Sequence, residues 1–242
     1  MRVVAIIQAR MGSTRLPGKV LEQIGGQTML ACVVRRAGRA SLITELIVAT
    51  TEAAADQAIA DECRRLGVPV FCGAELDVLD RYYRAASASQ ADIVVRITSD
   101  CPFIDPQLVD QVVAEFQRHN GPDYVSNTLP PRTFPRGLDV EAMSFAALER
   151  AWLEDGSPEW REHVTPYIYR NPEKFRLCAV TGETDYSDLR LTVDTKEDMA
   201  LARGIYSYFG HDGFSWREII DALDRHPQWL EINRHIVQKK DP

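Results

Sequence analysis

Val3-Val4-Ala5-Ile6-Ile7, inside a predicted strand at residues 2–8, is an unbroken apolar run in a chain of 242 residues. A strand with one wet face alternates apolar and polar residues. A continuous run rich in β-branched side chains suits a strand covered on both faces. Such a strand needs a helical layer on each side, which narrows the fold sharply. The first half of the chain supplies these layers in alternation. Residues 27–40 read as a helix, Leu46-Ile47-Val48-Ala49-Thr50 as a strand, and 53–66 as a helix ended by Gly67. Val68-Pro69-Val70-Phe71 follows as a short strand, 77–90 as a helix and Ile93-Val94-Val95-Arg96-Ile97 as a fourth strand. Asp105-Pro106 then opens a helix with Asp at the N-cap and Pro at the first helical position. This order predicts an α/β fold with a mostly parallel sheet and helices on both faces.

The second half is less regular. Residues 121–137 hold Pro122, Pro130, Pro131 and Pro135, four of the thirteen prolines, and read as an irregular connection or a flap over a site. Leu138-Asp139-Val140-Glu141 resumes as a strand, Ser144 caps a helix to about residue 154, 158–170 look helical and 175–181 extended. Thr195 with Asp198, and Ser215 with Glu218, have the spacing of N-terminal capping boxes. No repeat or linker divides the chain, which reads as one domain over 1–242 with a C-terminal helical extension from 211.

Composition removes several functions. A net charge of -7 argues against a long nucleic-acid partner, which needs a broad basic face, yet leaves room for a local cationic pocket around a small anion. The five cysteines, Cys32, Cys63, Cys72, Cys101 and Cys178, are odd in number and show no CxxC pair, as in a reduced, cytoplasmic protein. The first apolar run is too short to span a membrane, and neither a signal peptide nor a membrane partner is expected.

Three segments can carry chemistry. Gln8-Ala9-Arg10-Met11-Gly12-Ser13-Thr14-Arg15-Leu16-Pro17-Gly18-Lys19 directly follows the first strand. Ligands of parallel sheets bind beyond the carboxyl ends of strands, and a glycine-containing loop there can turn its N–H groups to phosphate. Arg10, Arg15 and Lys19 add three cations within ten residues, the compensation a triphosphate needs, although the spacing is not that of a Walker A loop. Equally, the loop alone is compatible with a solvated basic turn. Asp100, in Ser99-Asp100-Cys101-Pro102, follows the fourth strand and suits Mg²⁺ as a hard oxygen ligand; a turn-capping role is the alternative. Asp194, in Leu191-Thr192-Val193-Asp194-Thr195, is expected to follow another short strand and to share that metal site, or else to serve only its turn. Arg136, Asp139 and Glu141 end the proline-rich connection, and His163 lies in Arg161-Glu162-His163-Val164-Thr165-Pro166; each is a candidate acceptor contact.

Residues 9–19 resemble the signature of the acylneuraminate/KDO cytidylyltransferases, which activate acidic sugars with CTP. Val48-Ala49-Thr50-Thr51, Asp77-Val78-Leu79-Asp80-Arg81-Tyr82-Tyr83, Ile97 to Asp105 and Val193 to Asp198 resemble further segments of that family. Asp139-Val140-Glu141, Ser144-Phe145, Arg161 to Pro166, Trp216-Arg217-Glu218 and the tail Ile232 to Lys239 are similar to its SpsF-like branch, associated with spore-coat polysaccharide synthesis. The resemblance implies a nucleotide-diphospho-sugar transferase fold, a Rossmann-like three-layer α/β/α sandwich. It implies a nucleotide-binding half (1–120) with Ala9, Arg10 and Arg81 at the cytosine and Gly12, Ser13, Arg15, Lys19 and Thr98 along the nucleotide. It implies an acceptor and metal half (121–210), Mg²⁺ on Asp100 and Asp194, and a homodimer. Arg15, Lys19, Asp100 and Asp194 would then serve catalysis.

The expected reaction is in-line attack of an acceptor oxygen on the α-phosphorus of CTP with loss of pyrophosphate, for surface polysaccharide or glycan precursors. KDO enzymes carry Gln-Gly-Asp-Glu-Pro where this chain has Thr98-Ser99-Asp100-Cys101-Pro102, so sugar acids, sugar phosphates and phosphonates all stay open as the anionic acceptor. A metal-dependent glycosyltransferase, a non-catalytic nucleotide-binding protein and use of another triphosphate are the competing readings.

Overall fold

A computed structural model describes residues 1–118 and 121–238. Lys239, the end of the tail named above, lies outside the described residues. In chain order the elements are β1 (Val3–Gln8), β2 (Gln23–Ile24), β3 (Gln27–Thr28), α1 (Met29–Ala37), β4 (Glu45–Thr51), α2 (Gln57–Leu66), β5 (Val70–Gly73), α3 (Val78–Ala88) and β6 (Ile93–Thr98). There follow α4 (Pro106–Gln117), β7 (Tyr124–Ser126), β8 (Glu141–Ser144), α5 (Phe145–Glu154), α6 (Pro158–His163), α7 (Pro166–Tyr169), β9 (Leu177–Ala179), α8 (Lys196–Phe209) and α9 (Trp216–Arg225).

Seven strands form one sheet in the order β5-β4-β1-β6-β8-β7-β9. β1 pairs in parallel with β4 and β6, β4 with β5, and β7 with β9. β8 alone runs against the rest, antiparallel to both β6 and β7. The sheet is therefore mostly parallel, as the alternation predicts. The apolar run of β1 splits between two cores. Val3, Ala5 and Ile7 pack with Leu30 and Val33 of α1, Val109 and Val112 of α4, Ile205 of α8 and Ile219 of α9. Val4 and Ile6 pack with Leu79 and Tyr82 of α3, Leu148 of α5 and Ile168 of α7. Each of these side chains is essentially removed from water, which is the dominant favourable contribution to folding.

Most expected caps are present. Asp105 accepts from the N–H groups of Gln107 and Leu108, and Thr195/Asp198 and Ser215/Glu218 form full capping boxes. Several expected boundaries are corrected. The helix expected over 27–40 starts only at Met29, because Gln27-Thr28 pairs with Gln23-Ile24 across the two-residue turn Gly25-Gly26, a hairpin signal. Thr28 then caps α1. Residues 54–56 form a 3₁₀ turn ahead of α2. The strand expected over 138–141 begins only at Glu141; before it, Asn127 stands in for a strand partner, donating to Leu138 O at 2.7 Å and accepting from Val140 N at 2.9 Å. The helix expected over 158–170 breaks at Val164, which precedes Thr165-Pro166. Residues 191–193 join no sheet strand; Leu191 N donates to Arg136 O (2.7 Å) and Val193 N to Asp100 O (2.9 Å). Among the described residues no helix is long and apolar enough to cross a membrane, and none of the five cysteines is in a disulfide.

Candidate active site

The carboxyl ends of β1 and β6 point to one edge of the sheet, and the start of the reversed β8 lies at the same edge, with Arg96 opposite Glu141. The loop after β1 is anchored there. Met11 N donates to Asp56 Oδ1 at 2.7 Å, and Met11 O accepts from Ser13 N (2.9 Å) and Gly18 N (3.0 Å). Lys19 follows, on a single 3₁₀ turn. A cleft of about 730 Å³ opens over this edge. Its walls include Ala9, Arg10, Gly12, Ser13, Arg15, Lys19, Arg81, Thr98, Asp100, Arg136, Asp139, Glu141, His163 and Asp194, so every candidate residue from the sequence meets in one place.

Lys19 is the centre of charge. Its Nζ donates to Asp100 Oδ2 (3.1 Å), Asp194 Oδ1 (2.8 Å) and the Val193 carbonyl (2.7 Å). Burial acts to lower the Lys19 pKa, but the charges and hydrogen bonds of the two aspartates outweigh it and raise the value. Burial likewise acts to raise the Asp100 pKa, and Lys19 and Thr98 outweigh it and hold the carboxyl below its usual range. Thr98 donates to Asp100 Oδ1 at 2.6 Å. Arg15 and Arg190 both reach Asp194 Oδ2, at 3.0 and 2.9 Å. Cys101, buried beside Thr98, has its thiol pushed well up by burial and then by Asp100, the reverse of an activated nucleophile.

At another wall of the cleft, Arg81 is buried and donates from Nη1 to Ala74 O at 2.8 Å. Its Nε has no partner among the described residues, and burial, followed by the neighbouring Arg10 charge, lowers its pKa. Asp80 turns away, to Arg84 and the Trp152 indole. Arg10 reaches Glu162 of α6 at 3.1 Å.

The remaining wall is built on pairs the sequence reading did not foresee. Glu141 is ion-paired with Arg96 and accepts from the Tyr124 hydroxyl at 2.7 Å. Asp139 is paired with Arg132, which also donates to the carbonyls of Phe134 (3.0 Å) and Pro135 (3.1 Å). Burial raises the Asp139 pKa, with Arg132 opposing. These two carboxylates, expected as direct acceptor contacts, thus spend part of their charge on arginines. A lone arginine inside the apolar run 93–97 was the available signal for Arg96; nothing local marked Arg132 or Arg190.

Asp100 and Asp194 turn hard oxygens toward the same Lys19 ammonium, and among the described residues no group of three or more His, Cys, Asp and Glu gathers as a metal cage. That donor set fits Mg²⁺, which takes one or two carboxylates and completes its shell with water and phosphate.

Fold and cleft together define a nucleotidyltransferase of the nucleotide-diphospho-sugar transferase fold. A solved structure of a cytidylyltransferase from Leptospira borgpetersenii superposes with a TM-score of 0.92 at 36% identity, covering 99% of this chain and 100% of that one. The family model described as cytidylyltransferase matches residues 4–207, and the chain belongs to that family. The spore coat polysaccharide biosynthesis protein SpsF of Bacillus subtilis is 32% identical over 93% of this chain and 95% of its own length. A 3-deoxy-manno-octulosonate cytidylyltransferase of Solibacter usitatus is 38% identical over 54% of this chain and 50% of that enzyme.

Proposed function

We propose that this nucleotidyltransferase transfers CMP from CTP to an acidic sugar or a similar anionic acceptor and releases pyrophosphate. The observation that carries the reading is the Lys19 ammonium held between Asp100 and Asp194, with Arg15 on the same carboxylate. Cations gathered at a loop after the first strand suit a triphosphate, and the relatives named as a spore coat polysaccharide biosynthesis protein and a 3-deoxy-manno-octulosonate cytidylyltransferase support this reading. The chain supplies no nucleophile; the acceptor oxygen attacks, so its residues act by positioning and electrostatics. Arg15 and Lys19 take up the phosphate oxygens, and Gly12 and Ser13 line the same passage. Arg81 and Arg10, with Ala9, bound the end where the base lies. Arg136 and His163, with Asp139 and Glu141 held by their arginines, shape the acceptor end. Asp100 and Asp194 would hold Mg²⁺, which would supply neutralisation of phosphate charge. A reduced cytoplasmic homodimer working on surface-glycan precursors completes the proposal.

The test is pyrophosphate release with Mg²⁺, four triphosphates and a panel of sugar acids, sugar phosphates and phosphonates. Release with CTP and one acceptor class is expected. Lys19→Ala and Asp100→Asn should each lower turnover on the order of a hundredfold, as loss of one electrostatic stabiliser does. Near-wild-type turnover in either variant removes that residue from the mechanism.

A further inference from the structure

Asp194 is held by three cations of unequal freedom. Lys19 and Arg15 come from the loop after β1, and the Arg15 side chain is 38% exposed. Arg190 is 8% exposed and is itself gripped. Its Nη2 donates to Asp194 Oδ2 and Asp198 Oδ2, both at 2.9 Å, and its Nε to Asp198 Oδ1, also at 2.9 Å. Asp198 is wholly buried and also accepts from the backbone N–H groups of Asp194 and Thr195, each at 3.0 Å. Two residues beyond α9 close this network. Asn233 Nδ2 donates to Asp198 Oδ1 (2.9 Å) and to the Arg190 carbonyl (3.1 Å), and Gln238 accepts from Arg190 Nη1. Gln238 also lines the cleft. Both lie outside the stretch 4–207 matched by the family model.

We propose that the segment 226–238 is a positioning element of the active site. Through Asn233 and Gln238 it fixes Arg190, and through Arg190 it fixes the orientation of the Asp194 carboxylate. The inference rests on the role proposed above for Asp194 and adds the source of its geometry. A guanidinium whose donors are committed to Asp198, Asp194 and Gln238 cannot follow an arriving phosphate; an exposed Arg15 can. Arg190 is the permanent partner of Asp194, whereas the exposed Arg15 is free to exchange onto the nucleotide. Removing partners that orient a metal-binding carboxylate typically costs about 10–100-fold in metal affinity or activity.

The variants are Asn233→Ala and, because a buried asparagine can be needed for folding, Gln238→Ala at the cleft wall. Mn²⁺ is the probe, read by electron paramagnetic resonance of the free ion in the presence of CTP. Mn²⁺ affinity should fall about tenfold in Asn233→Ala and less in Gln238→Ala. At saturating metal, kcat should fall while KM for CTP stays within twofold. A crystal structure of Asn233→Ala should show Arg190 parted from Asp194. Unchanged Mn²⁺ affinity in both folded variants, or an Arg190–Asp194 pair still at 2.9 Å in that crystal structure, overturns the proposal. Failure of the wild type to release pyrophosphate from CTP sinks the functional reading by itself; the Arg190–Asp194 separation then still decides this one.

Discussion

An ammonium between two carboxylates titrates unlike a lone lysine. The Asp100 pKa is lowered in the fold, so its contribution to stability is complete above the usual carboxylate range and is lost as pH falls through the lowered value. The Lys19 pKa is raised, so its contribution is complete below the usual lysine range and is lost as pH climbs through the raised value. Between those limits the cluster stays charged. Lys19→Ala should destabilise by about 2 kcal/mol, less than a fully buried pair would cost, because 28% of the Asp100 side chain reaches solvent. The gap in Tm between the two proteins should be flat through the neutral range and should shrink in acid, as pH falls through the usual carboxylate range toward the lowered Asp100 value. A gap that widens in acid would contradict the pairing. At this scale the sequence was informative where charge clustered locally. Arg15, Lys19, Asp100 and Asp194 stood out by their spacing in loops after apolar runs. Arg96, Arg132 and Arg190 did not, because their partners are set by tertiary proximity: Arg190 looks like a lone charge between Leu189 and Leu191 until Asn233 and Gln238 return to it.

Among the elements, long periodic segments were legible and breaks were not. β1, β4, β6, α4 and α5 fall close to where apolar period and caps put them. The break at Val164 was hidden, since nothing in Glu162-His163-Val164-Thr165 forbids a helix until Pro166 disfavours helical geometry at Thr165. Val164 has φ 72° and ψ −54°, and Thr165 N donates to His163 O at 2.9 Å, which is a γ-turn of the strained, positive-φ kind. A buried β-branched residue in that conformation costs roughly 1–3 kcal/mol and is expected at functional positions. Here it lies between Glu162, His163 and Thr165, all on the cleft wall. Both Val164→Ala and Val164→Gly lose packing, but only glycine relieves the backbone. Val164→Gly should therefore be the more stable of the two by about 1 kcal/mol, inverting the usual order of these residues. Thermal unfolding of the pair checks this; alanine as the more stable variant would deny the strain.

Across the whole molecule, one close approach joins the two halves of the cleft. At Gly137 (φ +97°) a Cβ would fall 2.3 Å from Thr192 N and 2.5 Å from Leu191 C, so the segment leading to Asp139 and the one leading to Asp194 touch backbone to backbone. Gly137→Ala must force them apart. It should cost at least about 2 kcal/mol, lower Tm by roughly 5 °C and lower kcat; a variant of native stability and turnover would show that the contact yields freely. The contact is invisible in the sequence, where Arg136-Gly137 reads only as the end of a proline-rich stretch.

The reversal of β8 has a longer reach. Chain that follows a parallel strand leaves the cleft edge, but chain that precedes β8 arrives at it. The residues from Thr128 to Glu141 therefore reach the cleft as one continuous stretch, separate from residues 8–19 and from Asp100. Such an arrangement is modular in an evolutionary sense: on the function proposed above, drift within that one connection would alter much of the acceptor wall while residues 8–19 and Asp100, proposed for the triphosphate, stay untouched.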